Sequence, residues 1–371
     1  MIDNSIVKII NNKKSQKEFH ETLVKINKLS SNHKIYMAID FEFSETKIAL
    51  MQILFEVHKN NSITKKYFII YPPSLYSHIS SFLINKILCN RNILKITHGA
   101  DALDLPYVFY NMFNYNQKNI IDFTLSTVDT KYLCEYIGFI STISTSCKIY
   151  DILNNLKILS DNDKIFLEQN EEIMNKNINN VNNHKIIDID NLQNEIITYA
   201  IHDVVYLPEL YFTLKKIIIK NNPKNYFLLI DAIRFAILEK KYITTIGDDI
   251  IVANIMNNYF FYLDNTNKKI KLLYSFELIL DDFINSFDYV KLLFNIKYIK
   301  NNITDLLKII TYELLLQHEQ VFSSINIVNN IIFTNKFDKL IKNLKILELN
   351  HLSDLLNKYI LYIKSKIISL S

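Results

Sequence analysis

Hydrophobic positions recur with two different periods over roughly the first 220 residues, and the switching between them predicts an α/β fold. From Gln16 to Leu29, the residues Phe19, Leu23, Ile26 and Leu29 fall at helical spacing, the stripe of a helix laid beside a sheet. Ile35 to Phe43 is a short apolar run that reads as a buried strand. Strands over 35–41, 48–57 and 66–71 predict an antiparallel meander, ended by Pro72-Pro73. A helix over 74–88, a strand over 93–97 and a helix over 104–113 follow. Ile120-Ile121-Asp122 reads as the next strand, with Asp122 near the carboxylate motifs but not a metal ligand. Helical spacing returns from Leu192 to Lys216, with Ile196, Ile197, Ala200, Ile201, Val204, Val205 and Leu207 apolar. Pro208 predicts a kink there, one turn after Asp203.

Acids interrupt this pattern at three places. Side chains alternate along a strand, so Asp40 and Glu42 in Asp40-Phe41-Glu42 point to one side and repel each other. The sequence contains Asp-x-Glu only here, and two carboxylates on an apolar strand are tolerable when a divalent cation neutralises them. The second motif is Asp101-Ala102-Leu103-Asp104, at the end of a strand. Either acid could cap the following helix, where Pro106 suits the first turn. The third is Tyr199-Ala200-Ile201-His202-Asp203. Tyr199 and Asp203 are four apart, which on a helix puts a phenol one turn from a carboxylate.

With these residues the chain resembles the DEDD 3′→5′ exonucleases, in the tyrosine subgroup that includes ribonuclease D and the exosome-associated exonuclease. The resemblance is carried by the Asp40/Glu42 pair with Ile48-Ala49-Leu50-Met51-Gln52-Ile53, by Lys95 to Asp101, by Asn119 to Asp122 and by Tyr199 to Leu207, within roughly 15–220. Thr198 stands where the histidine subgroup has its histidine. The resemblance implies an RNase H-like fold, a mixed sheet flanked by helices, with two metal ions, Mg²⁺ or Mn²⁺. It implies Asp40, Glu42 and Asp203 as metal ligands and Tyr199 as the group that orients the attacking water. For the second motif Asp104 is favoured, because Leu105, Val108 and Phe109 repeat the apolar pattern expected after the ligand; Asp101 is then an outer or capping residue. The implied activity is removal of nucleoside monophosphates from single-stranded nucleic acid with a free 3′ end. His98-Gly99-Ala100 and Asp203 to Leu207 look more like the ribonuclease D branch, which favours RNA. A DNA-directed exonuclease of the same fold and a catalytically silent nucleic-acid-binding scaffold are the alternatives. A silent relative would usually have lost an acid, and each motif here keeps one.

Composition then bounds the rest. With 371 residues, 49% of them hydrophobic, the chain can hold two domains: 1–220 for the exonuclease, and a helical domain over 221–371 of unassigned role. Helices are expected over 226–241, 250–263, 272–287, 303–320 and, in pieces, 337–368. The net charge of +4 is not a nucleic-acid footprint, because a bias toward Ile, Asn, Lys and Tyr spreads lysine everywhere and arginine occurs only at Arg91 and Arg234. Asn175 to Asn183 is of low complexity and predicts a mobile insertion. Cys89, Cys134 and Cys147 show no metal spacing and are expected to be reduced thiols of an intracellular protein. His98 and His202 neighbour the acids and are expected to have a structural or outer-shell role rather than a catalytic one. Neither a secretory leader nor a run of roughly 18 apolar residues is visible, so a soluble protein of the cytoplasm or nucleus is expected, with no membrane partner.

Overall fold

The computed structural model describes residues 7–44, 47–59, 62–100, 103–140, 146–165, 189–192 and 194–221, together with part of 226–237 and of 341–361. The chain divides into two compact units. One comprises Met1–Gly138 with Ile143–Ile218, the other Phe139–Thr142 with Ile219–Ser371.

The first unit is built on six strands: β1 (Val7–Ile10), β2 (Lys34–Ser44), β3 (Lys47–Lys59), β4 (Ser62–Ile70), β5 (Ile93–Thr97) and β6 (Thr127–Asp129). Their order across the sheet is β1-β4-β3-β2-β5-β6. β2, β3 and β4 pair antiparallel as a meander, while β5 runs parallel to β2 and β6 parallel to β5. This is the mixed, helix-flanked sheet of the RNase H-like class, with β1 added parallel to β4 at one edge. The parallel strands need crossovers, and helices supply them. The helices are α1 (Lys13–Leu29), α2 (Ser77–Phe82), α3 (Asp104–Tyr107) and α4 (Gln117–Leu125), which lie in the connections between strands, and α5 (Thr130–Ile140), α6 (Ile149–Asn155), α7 (Asn194–Val205) and α8 (Leu207–Asn221), which follow β6. α2 and α3 each run on in a wider π-type turn, over Leu83–Leu88 and Val108–Met112.

α1 shows how local chemistry sets an element. Asn12 caps its first turn by accepting from the Ser15 N–H, and Ser15 Oγ answers the Asn12 N–H, a reciprocal capping box. Phe19, Leu23 and Ile26 of its predicted stripe are buried and Leu29 partly so, Phe19 packing on Phe68 with ring centroids 5.0 Å apart. Each such side chain contributes about 1.5–3 kcal/mol by burial. β2 occupies the middle of the sheet, so its residues Met37 to Ile39 are almost wholly buried.

Two predicted elements require correction. Ile120-Ile121-Asp122 is not a strand but part of α4: Asn116 caps that helix by accepting from Asn119 N–H, and Ile120 and Phe123 are buried at helical spacing. The fifth strand of the class is instead the three-residue β6, too short and too polar at its ends to show a period. The single helix over 192–216 is two helices, broken at Tyr206, so that Pro208 sits in the first turn of α8, where its missing N–H costs nothing. In the second unit the described residues are mainly helical; Leu229, Ile233 and Ile237 are buried, and Asp231 Oδ2 accepts from His351 N at 2.8 Å. The helices expected over 250–263, 272–287 and 303–320, and the insertion over 175–183, lie outside the described residues.

Candidate functional site

The parallel strands β2, β5 and β6 end at the same edge of the sheet, and the acids gather there, beyond the carboxyl ends of the strands. In β2, Asp40 lies opposite Gln52 of β3 and Glu42 opposite Leu50, just before a register shift at Glu42/Phe43. α7 packs across β2, β3 and β4. That packing follows from its apolar face, with Ile197, Ala200, Ile201 and Val204 buried, and it brings Asp203 to the strand. One carboxylate oxygen each from Asp40, Glu42 and Asp203 lies within 4.8 Å of the other two.

Like charges at that separation cost about 3 kcal/mol per pair at an effective dielectric constant of about 20. The acids answer by holding protons. Burial, and then the charges of Asp203, Asp104 and Glu42, push Asp40 well above the usual carboxylate range. Burial, followed by Asp203 and Asp104, pushes Glu42 up to about 8, against a weak donation from Gln52 Nε2 at 3.3 Å. Asp203 is pushed up to about 7 by burial, partly offset by a hydrogen bond from Tyr150. Three half-buried acids that cannot all ionise without cost could together hold a metal ion, and their all-oxygen donor set is of the kind that hard divalent cations take. Gln52 adds a second sign. Its Oε1 is buried, beside Glu42, with no hydrogen-bond partner among the described residues.

Asp104 is the first residue of α3 and lies outside the 4.8 Å group, yet it is near enough for its charge to raise both Asp40 and Glu42. Asp101 lies outside the described residues. The approach to Asp104 is fixed by Asp129, the last residue of β6, which is buried. Its Oδ1 accepts from Gly99 N and Lys131 N, each at 2.9 Å, and its Oδ2 from Ala100 N and Thr97 Oγ1, each at 3.0 Å. Gly99 turns there at φ +69°, a left-handed conformation that a side chain resists. Asp129 carries no signal in the sequence, since Thr127-Val128 before it is too short to show a period.

Tyr199 lies one turn before Asp203 on α7 and is partly buried. The hydrogen bond to Asp203 Oδ1 comes, at 2.7 Å, from another phenol, Tyr150 of α6. Burial and the charge of Asp203 push the Tyr150 hydroxyl well above the usual phenol range, and Tyr199 adds to that, so the two phenols share a neighbourhood. Tyr150 stands 53 positions before its partner, and no spacing in the sequence connects them. His98 is held at both ring nitrogens: its Nδ1 meets Thr130 Oγ1 and its Nε2 meets the Cys147 carbonyl, both at 2.9 Å. His202 Nδ1 meets the Thr198 carbonyl at 2.6 Å.

Two further expectations are overturned. Asp122 does not approach the acids: it pairs with Arg91 at 2.7 Å and Lys118 at 2.6 Å, and Arg91 precedes β5, at the opposite end of that strand from Asp104. Cys134 and Cys147 are not free thiols. They are joined in a disulfide, with Cα atoms 5.8 Å apart, because α5 lies alongside the segment entering α6; Cys89 is free. No helix among the described residues is long and apolar enough to cross a membrane.

No protein-family model matches the chain. The uncharacterized protein L533 of Acanthamoeba polyphaga mimivirus is 32% identical over 250 residues, covering 62% of this chain and 47% of that protein, so the chain spans about half the length of the curated relative it matches. Among solved structures, the RNase D:GMP complex of Trypanosoma brucei is similar with a TM-score of 0.39 and 13% identity over 57% of each chain. The Nibbler EXO domain of Aedes aegypti is similar with a TM-score of 0.36 and 15% identity over 58% of this chain and 89% of that one. With both TM-scores below 0.5, the fold class rests on the strand order and register of the sheet itself.

Proposed function

We propose that this chain is a metal-dependent 3′→5′ exonuclease of the tyrosine subgroup, acting on single-stranded nucleic acid, RNA in preference to DNA. The observation that carries the reading is the convergence of Asp40, Glu42 and Asp203 within 4.8 Å, from a strand and a helix far apart in sequence, with the charge of Asp104 acting on the first two. Isolated acids seldom gather in a buried place unless a cation or a shared proton repays them. Asp40, Glu42, Asp104 and Asp203 are the ligands of two divalent cations, Mg²⁺ or Mn²⁺. Bound there, such ions supply Lewis-acid stabilisation of the phosphoryl group and of the departing 3′ oxygen.

The remaining work falls to the protein. Tyr199, on the same helix as Asp203, orients the water whose oxygen adds to phosphorus. The bond from phosphorus to the 3′ oxygen breaks, that oxygen takes up a proton, and a nucleoside 5′-monophosphate leaves. Residues 1–220 form the catalytic domain, and the helical residues of 221–371 have no catalytic constellation in their sequence.

Purified chain incubated with 5′-labelled single-stranded RNA or DNA, in Mg²⁺, Mn²⁺ or EDTA, tests this. The expected result is a ladder shortened stepwise from the 3′ end, faster on RNA, and absent in EDTA. Substrate that binds but stays intact in both metals supports the silent scaffold instead.

A further inference from the structure

The sequence motifs assign one tyrosine to the site, but the structure brings two. Tyr150 comes from α6, a short helix outside every carboxylate motif, and its hydroxyl is the group that touches Asp203, donating to Oδ1 at 2.7 Å. A carboxylate that binds a cation with one oxygen must have its rotation fixed through the other, and groups that do this are usually worth 10–100-fold in metal affinity. Asp203 extends from α7 into a place where Asp40 and Glu42 repel it. A donor on Oδ1 both relieves that repulsion and leaves Oδ2 for a cation.

The segment that carries Tyr150 is itself fixed. Three residues earlier, Cys147 is tied to Cys134 of α5 by the disulfide, and its carbonyl is held by His98 Nε2 at 2.9 Å. The other nitrogen of His98 meets Thr130 Oγ1, which donates to the Thr97 carbonyl at 2.9 Å. Ile152 and Leu153 of α6 are buried as well. The start of α6 is thus anchored to the ends of β5 and β6, the strand ends around which the acids gather. A tyrosine that merely filled space would not need its hydroxyl on a carboxylate.

We propose that Tyr150 is a positioning residue: it holds Asp203 in the orientation that binds the divalent cation, while Tyr199 serves the attacking water. This inference rests on the metal-site reading given above. It divides the two phenols by function, one acting through a ligand and one on the reaction.

Calorimetric titration of Mn²⁺ into the full metal-free chain tests it without any turnover. Tyr150→Phe keeps the ring and is expected to weaken Mn²⁺ binding by roughly 10–100-fold, whereas Tyr199→Phe leaves the affinity within about 2-fold of the parent. Equal Mn²⁺ binding by the parent and Tyr150→Phe overturns the proposal while leaving the metal site standing. A parent chain that binds no Mn²⁺ removes the metal-site reading itself, and this inference with it. Asp203→Asn supplies a second comparison, which also covers poor folding of Tyr150→Phe, since the amide leaves no buried charge without its donor. In that background Tyr150→Phe is expected to change Mn²⁺ affinity by less than about 2-fold, because the group it acts through is gone. A further loss of 10-fold or more there means that Tyr150 supports the site independently of Asp203, and contradicts the assignment.

Discussion

At the scale of single residues, the acids are what the sequence made most legible, because carboxylates on apolar elements conflict with their surroundings and the conflict shows in the pattern alone. Asp40 and Glu42 on a buried strand, and Asp203 on a buried helix, needed no spatial information to be singled out. Tyr150 did, since its partner is 53 positions away and its own helix looks ordinary. The acids give the first prediction. Asp40→Asn, Asp104→Ala and Asp203→Asn each remove charge from the proposed cation site, and degradation of labelled RNA is expected to be abolished with the fold intact by circular dichroism. Asp101→Ala is expected to retain measurable activity. If Asp101→Ala is the inactive variant and Asp104→Ala the active one, the second ligand is misassigned. Tyr199→Phe loses only a hydroxyl, so its turnover at saturating Mg²⁺ is expected to fall roughly 10²-fold; a variant as fast as the parent shows that the phenol only packs.

At the scale of elements, strands and helices with full periods were readable, and those whose form is set by neighbours were not. The three strands of the meander and α1 follow their hydrophobic spacing, though each strand of the meander extends past its predicted limits because pairing continues beyond the apolar run. β1 and β6 are short, and their strand character comes from pairing with β4 and β5. Ile120 and Ile121 favour a strand by propensity, yet the Asn116 cap and the burial of Ile120 and Phe123 decide for helix. The turn after β5 shows the same dependence on context, because one buried acid from β6 holds it. Asp129→Ala leaves the N–H groups of Gly99, Ala100 and Lys131 and the hydroxyl of Thr97 without their acceptor. Urea unfolding is expected to show a loss of about 3 kcal/mol or more. The loss of activity should exceed the loss of folded protein, since the approach to Asp104 is released as well. Stability within about 0.5 kcal/mol of the parent would mean that water replaces Asp129 without cost.

At the scale of the whole molecule, the buried acids make folding depend on pH. Unfolded carboxyls titrate near 3.8 for Asp and 4.5 for Glu, whereas in the fold Asp203 stands at about 7 and Glu42 at about 8. Between those values the folded chain keeps protons that the unfolded chain releases. The stability these two groups contribute is therefore fully present below about pH 4 and is lost as pH rises through 7 and 8. In EDTA the melting temperature is expected to fall from pH 5 to pH 8, and Mg²⁺ or Mn²⁺ to restore it most strongly at the upper end, since the cation binds only the folded site. A melting temperature in EDTA that is flat or rises across that window contradicts the burial of the acids.

The proposed activity is hydrolysis of nucleic acid from the 3′ end, at the carboxyl ends of β2, β5 and β6. The most direct measurement follows single-stranded RNA whose last internucleotide phosphate is labelled, incubated with the full chain and Mg²⁺, with Asp40→Asn and EDTA as controls. The label is expected to leave first, as a nucleoside 5′-monophosphate, before the RNA is otherwise shortened, and neither control is expected to release it. Label retained while the RNA is cut internally, or equal release by Asp40→Asn, would contradict it.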